Sequence, residues 1–376
     1  MRGYTRTGAF GPIADFVDLH GGSIRRVFDD VDLPMAVLDN PDLPLPLVEQ
    51  YRVLSAAGQE IGDPYVGANL GRLVSLQHLG PYGAWMCAAP TLATLIDRCE
   101  HSIGCYLQTA NRIQLRVHES GAQFSIEFLD DRSEAWLQNE LLGVSYLIEC
   151  IRQFAGGSWS PDLIRSTCTG AESAAELEKI FEAPVWHGAD VSVIQFAPGL
   201  LATTKVCNWP AQSDDEPILP IPQSRRDDVT ALIAIALLER QPKIDWVASR
   251  LSTSRRSLQR TLDTEGCNFS GVLESLLMDR ATELLRSTDR TITDVALELG
   301  YSDSAHFTRA FRKWTGVSPS RFRQSEQSPQ LSAFVPIDIV GTSLDECQLH
   351  PNIRPTRFAI VPYGKALQWQ YAARFM

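Results

Sequence analysis

No Cys-x-x-Cys pair occurs in this chain, although eight cysteines are spread through it (Cys87, Cys99, Cys105, Cys150, Cys168, Cys207, Cys267 and Cys347). That scatter suits reduced, mostly buried thiols in a cytoplasm, and argues against a zinc site or a disulfide framework. No glycine-rich phosphate loop of the Gly-x-Gly-x-x-Gly or Walker type is present, and Gly21-Gly22 and Gly156-Gly157 read as turns. None of the seven histidines (His20, His78, His101, His118, His187, His306, His350) stands four residues from another. His101, between Cys99 and Cys105, is the one to watch as a metal or haem ligand; a lone histidine is otherwise a structural or surface residue. Adjacent carboxylates at Asp29-Asp30, Asp130-Asp131 and Asp214-Asp215 point apart in helices and strands, so they do not form the converging pair that hydrolysis needs. The most apolar run, Ala231 to Leu238, is far shorter than the ~20 residues that cross a bilayer, and no apolar core of a signal peptide opens the chain. These absences lead us to expect no catalytic residues, no metal, no cofactor and no membrane, in a soluble cytoplasmic protein.

What is present is a long chain with the composition of a globular protein. Its 376 residues are 44% hydrophobic, enough for two domains with separate cores. The formal charge of -11 disfavours a nucleic-acid partner only while the chain is taken whole. Between Arg225 and Arg323 there are 16 Lys and Arg against 13 Asp and Glu, a net of +3, which leaves -14 on the remainder. The negative charge therefore lies outside that stretch. So weakly basic a stretch could bind nucleic acid only by specific contacts as well as by phosphate attraction.

Within that stretch one pattern occurs twice. Apolar residues at i, i+3, i+4 and i+7 mark a short amphipathic helix at Ile244, Val247, Ala248 and Leu251, and again at Ile292, Val295, Ala296 and Leu299, 48 residues on. A second helix follows with an apolar i, i+4 pair, Leu258 and Leu262, matched by Phe307 and Phe311 at an offset of 49. Gly266, Asn268, Phe269 and Val272 then match Gly316, Ser318, Pro319 and Phe322 at an offset of 50. Single insertions at turns are what a duplicated helix-turn-helix would accumulate. With the apolar pairs inward, Arg255, Arg256, Gln259 and Arg260 are left outward on a helix capped by Ser254. Arg and Gln reach guanine and adenine edges bidentately in the major groove. The matching positions of the second copy, capped by Ser302 or Asp303, are Ser304, Ala305, Thr308 and Arg309, a less charged set that should read less. Between the copies, Phe269, Leu273, Leu276, Leu277, Ala281, Leu284 and Leu285 define a helix of roughly 18 residues, about 27 Å long. A spacer of that length would set two recognition helices about one turn of DNA apart.

The run Gly300-Tyr301-Ser302-Asp303-Ser304-Ala305-His306-Phe307-Thr308-Arg309-Ala310-Phe311-Arg312-Lys313-Trp314, ending in Thr315-Gly316-Val317-Ser318-Pro319, closely resembles the signature of the AraC/XylS family of bacterial transcription regulators. Ser254-Arg255-Arg256-Ser257-Leu258-Gln259-Arg260 resembles the first unit of that family. The resemblance covers residues 225–323, about a quarter of the chain. It implies base contacts from Arg256, Gln259 and Arg260 in one groove segment and from Ser304, Ala305, Thr308 and Arg309 in the next, with RNA polymerase as a partner. One position departs: Ser252 stands where the family usually has glycine.

Residues 13–205 alternate helical and strand signals. Prolines 34, 41, 44 and 46 punctuate a loop, Leu47 to Ile61 reads as a helix, and a further helical stretch runs from Thr91 through Asp97. Ile113, Leu115 and Val117, then Phe124, Ile126 and Phe128, alternate about a Ser120-Gly121 turn as a hairpin with one apolar face to be covered. Trp136 to Phe154 is apolar around most of a helix, and so is buried. A strand near Leu163 to Cys168, a helix from Ala174 to Phe181 and a strand around Val191 to Phe196 follow. That order resembles the "arabinose-binding" type N-terminal domain of a subgroup of the same family.

The expected architecture is an α+β effector-sensing and dimerising domain (1–208), a linker rich in Pro, Asp and Ser (209–224), an all-α DNA-binding domain of two helix-turn-helix units joined by a long helix (225–323), and a tail of unknown structure (324–376). The expected function is transcription regulation on double-stranded DNA under a small organic effector, with a homodimer as one route of control. A catalytic N-terminal domain fused to a DNA reader is the alternative from another class. An effector-independent architectural DNA binder is a third reading, and it would have no need of a large apolar N-terminal domain.

Overall fold

A computed structural model describes residues 3–119, 121–129, 136–205, 221–222, 224–239 and 242–327. Most of the expected linker, the tail beyond 327 and Ser120 of the expected hairpin turn lie outside the described residues. The chain divides into two compact units, one ending at Leu273 and the next beginning at Glu274.

The first unit opens with strand β1 (Tyr4–Arg6), helices α1 (Ile13–Leu19) and α2 (Ile24–Asp30), and strand β2 (Pro44–Pro46), which pairs antiparallel with β1. Helix α3 (Leu47–Ile61) has the bounds read from its periodicity and stops at Gly62, whose φ of 69° is left-handed. Next come α4 (Val66–Leu70), α5 (Gly80–Cys87) and α6 (Leu92–Tyr106). The Thr91 hydroxyl accepts the Thr94 amide (3.2 Å) at the start of α6. This helix runs well past Asp97, because Cys99 and Ile103 prolong the buried stripe of Leu92, Leu95 and Ile96.

The hairpin is β3 (Asn111–His118) and β4 (Gly121–Phe128), in a register that sets Ile113 opposite Ile126 and Leu115 opposite Phe124. Helix α7 (Trp136–Ala155), strand β5 (Leu163–Arg165), helix α8 (Ala171–Phe181) and strands β6 (Val185–Trp186) and β7 (Ser192–Phe196) complete the domain. The five-stranded sheet has the order β3-β4-β7-β5-β6, antiparallel except for the β5–β6 pair. Strand β5 ends at Arg165, short of the expected Cys168, where the Ser166 hydroxyl accepts the Cys168 amide and turns the chain. Alternation buries Phe124, Ile126, Phe128, Ile194 and Phe196 on one face, and α7 covers it with Leu147, Ile148, Ile151 and Phe154. The cover stops short of Val117, which is 54% exposed near the end of the edge strand. Helix α4 lies so close to α7 that a Cβ on Gly67 would fall 1.8 Å from the Gln138 carbonyl oxygen.

Helices α9 (Arg225–Ala236), α10 (Ile244–Arg250) and α11 (Arg255–Thr264) follow in the first unit, and α12 (Phe269–Ser287) begins there. At 19 residues α12 is about 28 Å long. The second unit holds the rest of α12 with α13 (Ile292–Glu298), α14 (Ser304–Thr315) and α15 (Pro319–Gln327). Its core is Ala281, Leu284, Leu285, Val295, Ala296, Leu299, Phe307 and Phe311, the positions that the duplicated pattern sets inward.

Candidate nucleic-acid interface

The two helix-turn-helix units close their turns with the same backbone hydrogen bonds. In the first, the Leu251 amide donates to Val247 (3.1 Å), Ser252 to Ser249 (2.9 Å) and Thr253 to Ala248 (2.9 Å). In the second, Leu299 donates to Val295 (3.1 Å), Gly300 to Leu297 (3.0 Å) and Tyr301 to Ala296 (2.9 Å). Both turns need a left-handed residue. Gly300 takes it at φ 80°, while Ser252 takes it at φ 46° against the steric preference of an L residue. The departure from glycine thus leaves the hydrogen-bonding of the turn unchanged and loads it with local strain.

Beyond each turn a side chain opens the second helix. The Ser254 hydroxyl accepts the Ser257 amide (3.2 Å) in α11. In α14 the cap is Asp303, whose carboxylate accepts the His306 amide at 2.6 Å. That bond holds the Asp303 carboxyl below the usual carboxylate range. Leu258 and Leu262 of α11, and Phe307 and Phe311 of α14, are buried. What remains outward is the predicted reading set. Arg255, Arg256, Gln259 and Arg260 are all exposed, as are Ala305 and Arg309; Ser304 and Thr308 are half-buried. Thr308 spends its hydroxyl proton on the Ser304 carbonyl (2.7 Å), leaving its oxygen lone pairs and methyl for a partner.

Arg255 lies 3.5 Å from Asp245 with both side chains more than half exposed, a pair weak enough to exchange for a phosphate. Arg256 and Arg260 enter no ion pair among the described residues. Sequence reasoning missed Arg250. It occupies the position matched by Glu298, which pairs at the surface with Arg280, yet the Arg250 side chain is 4% exposed. Its Nη1 donates to Glu49 (2.8 Å) and its Nη2 to the carbonyl oxygens of Val31 (2.7 Å) and Asp32 (2.8 Å). Opposite charges at matched positions of a repeat were the available signal. His101 is exposed on α6, with Nδ1 at 2.9 Å from the Asp97 carbonyl oxygen. Among the described residues no three His, Cys, Asp or Glu side chains converge as a metal site, and no helix is long and apolar enough to cross a membrane.

Two capped helices, each packed through its apolar pair and polar on its outer face, define a double helix-turn-helix DNA-binding transcription regulator. Residues 247–325 match the family described as "Helix-turn-helix domain", and residues 21–204 match the "Arabinose-binding domain of AraC transcription regulator, N-term". The chain belongs to the AraC family of transcription regulators. It is 26% identical over 331 residues to the "Ornithine utilization regulator" of Pseudomonas aeruginosa, covering 83% of this chain and 94% of that one. With the "Probable transcription factor PqrA" of Proteus vulgaris it shares 33% identity over 94 residues, 25% of this chain and 77% of the relative. Among solved structures, the transcriptional regulator CdpR from Pseudomonas aeruginosa aligns over 69% of this chain and 87% of its own, at 24% identity and a TM-score of 0.32.

Proposed function

We propose that Arg255, Arg256, Gln259 and Arg260 of α11 read one major-groove segment and that Ser304, Ala305, Thr308 and Arg309 of α14 read the next, within one chain. The observation that carries this reading is the pair of identically bonded turns, each followed by a capped helix with its polar face outward. The richer guanidinium and amide set of α11 makes it the stronger reader. The N-terminal domain binds a small organic effector without transforming it, and its state alters DNA binding through docking or through a homodimer. RNA polymerase is the downstream partner. Domain bounds of 1–208, 225–323 and an appended tail suit this division of labour.

The experiment is a comparison of the full chain with the Arg225 to Arg323 fragment on DNA flanking the protein's own gene, across a metabolite panel with product analysis. An effector response confined to the full chain, with the metabolite recovered intact, is the expected result. A fragment that responds as strongly removes the sensing role, and consumption of the metabolite makes the N-terminal domain an enzyme.

A further inference from the structure

Inside the N-terminal domain, between α3, α6, α7 and the sheet, lies a cavity of about 60 Å³. One water requires roughly 10–15 Å³ on that measure, so the space suits a molecule of about four to six heavy atoms. No Asp, Glu, Lys, Arg or His lines it. An ion entering such a space would lose its hydration with no opposite charge to replace it, which selects a neutral ligand. The polar side chains on the wall are turned to one another or into the packing behind it, and the Tyr82 hydroxyl donates to Cys99 Sγ (3.9 Å). Gln50 and Gln108 bond each other (3.3 Å), with Gln50 also donating to the Ala9 carbonyl (3.4 Å) and Gln108 to the Thr5 hydroxyl (3.2 Å). Asn139 Nδ2 and the Tyr146 hydroxyl, both on α7, have no hydrogen-bond partner, but both atoms are closed off from the cavity space as well, so the surface a ligand would meet is almost wholly apolar. Such a wall selects an apolar molecule.

The same helix that carries Gln50 into this wall carries Glu49 toward the reader. Glu49 is 2% exposed and bonds Arg250 of α10, the helix that precedes the reading helix α11. Arg250 also stacks on Trp246, at 5.1 Å from the ring centre. Neighbouring residues of one rigid helix thus face the cavity and the first helix-turn-helix unit.

We propose that this cavity is the effector site, that it takes a small, uncharged and largely apolar molecule, and that α3 relays its occupancy to the first helix-turn-helix unit through the Glu49–Arg250 pair. The inference rests on the regulator reading above and adds the site, the ligand chemistry and the route. Such a ligand is unlike ornithine, whose ammonium and carboxylate groups would find no partner there.

The test uses the full chain with 2-pentanone as the neutral probe and pentanoate and ornithine as charged ones. Binding is followed by calorimetry, and DNA affinity is measured on the protein's own upstream region. The ligand-free chain should bind that DNA whatever the probes do, and a failure there counts against the regulator reading alone. Of the three probes, 2-pentanone binds. Ile103→Phe and Leu142→Phe, which fill part of the cavity, each weaken it about tenfold or more. On wild type it changes DNA affinity about fivefold or more, the lower end of allosteric coupling. The double variant Glu49→Leu with Arg250→Met keeps the packing, still binds 2-pentanone and reduces that change to less than about twofold. Binding of pentanoate or ornithine in place of 2-pentanone, or unchanged 2-pentanone affinity in both cavity-filling variants, overturns the site. A full DNA response in the double variant overturns the relay.

Discussion

Arg250 and Glu49 meet at 2.8 Å with almost no water in reach, which makes their energetics a matter of completeness. Cutting Arg250 back to Ala leaves a buried carboxylate with only the half-exposed Arg52 (2.9 Å) beside it, and should cost about 3–5 kcal/mol. Replacing both partners, Glu49→Leu with Arg250→Met, removes the charges together and should leave stability much closer to wild type; urea denaturation distinguishes the two cases. At Ser252 the sign reverses. A serine held at φ 46° gains from Ser252→Gly, by about 0.5–1 kcal/mol once the extra freedom of glycine in the unfolded chain is discounted. A lower melting temperature for that variant would show that the hydroxyl contributes more than the backbone strain costs. On the reading faces, Arg256→Ala or Arg309→Ala should each lose about 1–3 kcal/mol on the specific site and relax preference at one base position. Equal losses on specific and random DNA would assign those arginines to phosphates.

Each helix-turn-helix is an element whose second helix depends on its first residue. Ser254→Ala should cost about 1 kcal/mol, because the Ser257 amide loses its acceptor. The Asp303 cap is pH-dependent. Its carboxyl is held below the usual range in the folded state, so its contribution is complete above that range and is lost as the pH falls through the depressed value. Acid titration followed by circular dichroism should show Asp303→Ala losing this low-pH dependence. Much of this was legible in the sequence: the 48-residue offset of the two stripes set the cores of both units, and alternation marked both strands of the hairpin but not their register, since Gly121, read as part of the turn, pairs with His118 at the start of β4 and so sets Ile113 opposite Ile126. Short elements were not. Strands β1 and β2 are three residues each, held by pairing to one another across α1 and α2, and these two helices lack the second copy of their pattern that marked the equally short α10 and α13. The burial of Arg250 also escaped, since helical spacing cannot say which polar side chain will meet a carboxylate 201 positions away.

For the whole molecule, the division of charge sets the mode of binding. The stretch from Arg225 to Arg323 carries only +3 while the remainder carries -14, so long-range attraction to DNA should be weak and specificity is expected from the proposed reading helices. A shallow dependence of affinity on salt is expected, with most of the discrimination lost when the α11 side chains are removed. Whether one chain reads DNA with two helices is tested most directly by hydroxyl-radical footprinting of the full-length protein on the DNA flanking its own gene. Wild-type protein should protect two segments centred about ten base pairs apart, with Arg256→Ala weakening one of them and Arg309→Ala the other. Protection of a single segment, or of two that weaken together with either substitution, would contradict the two-helix reading.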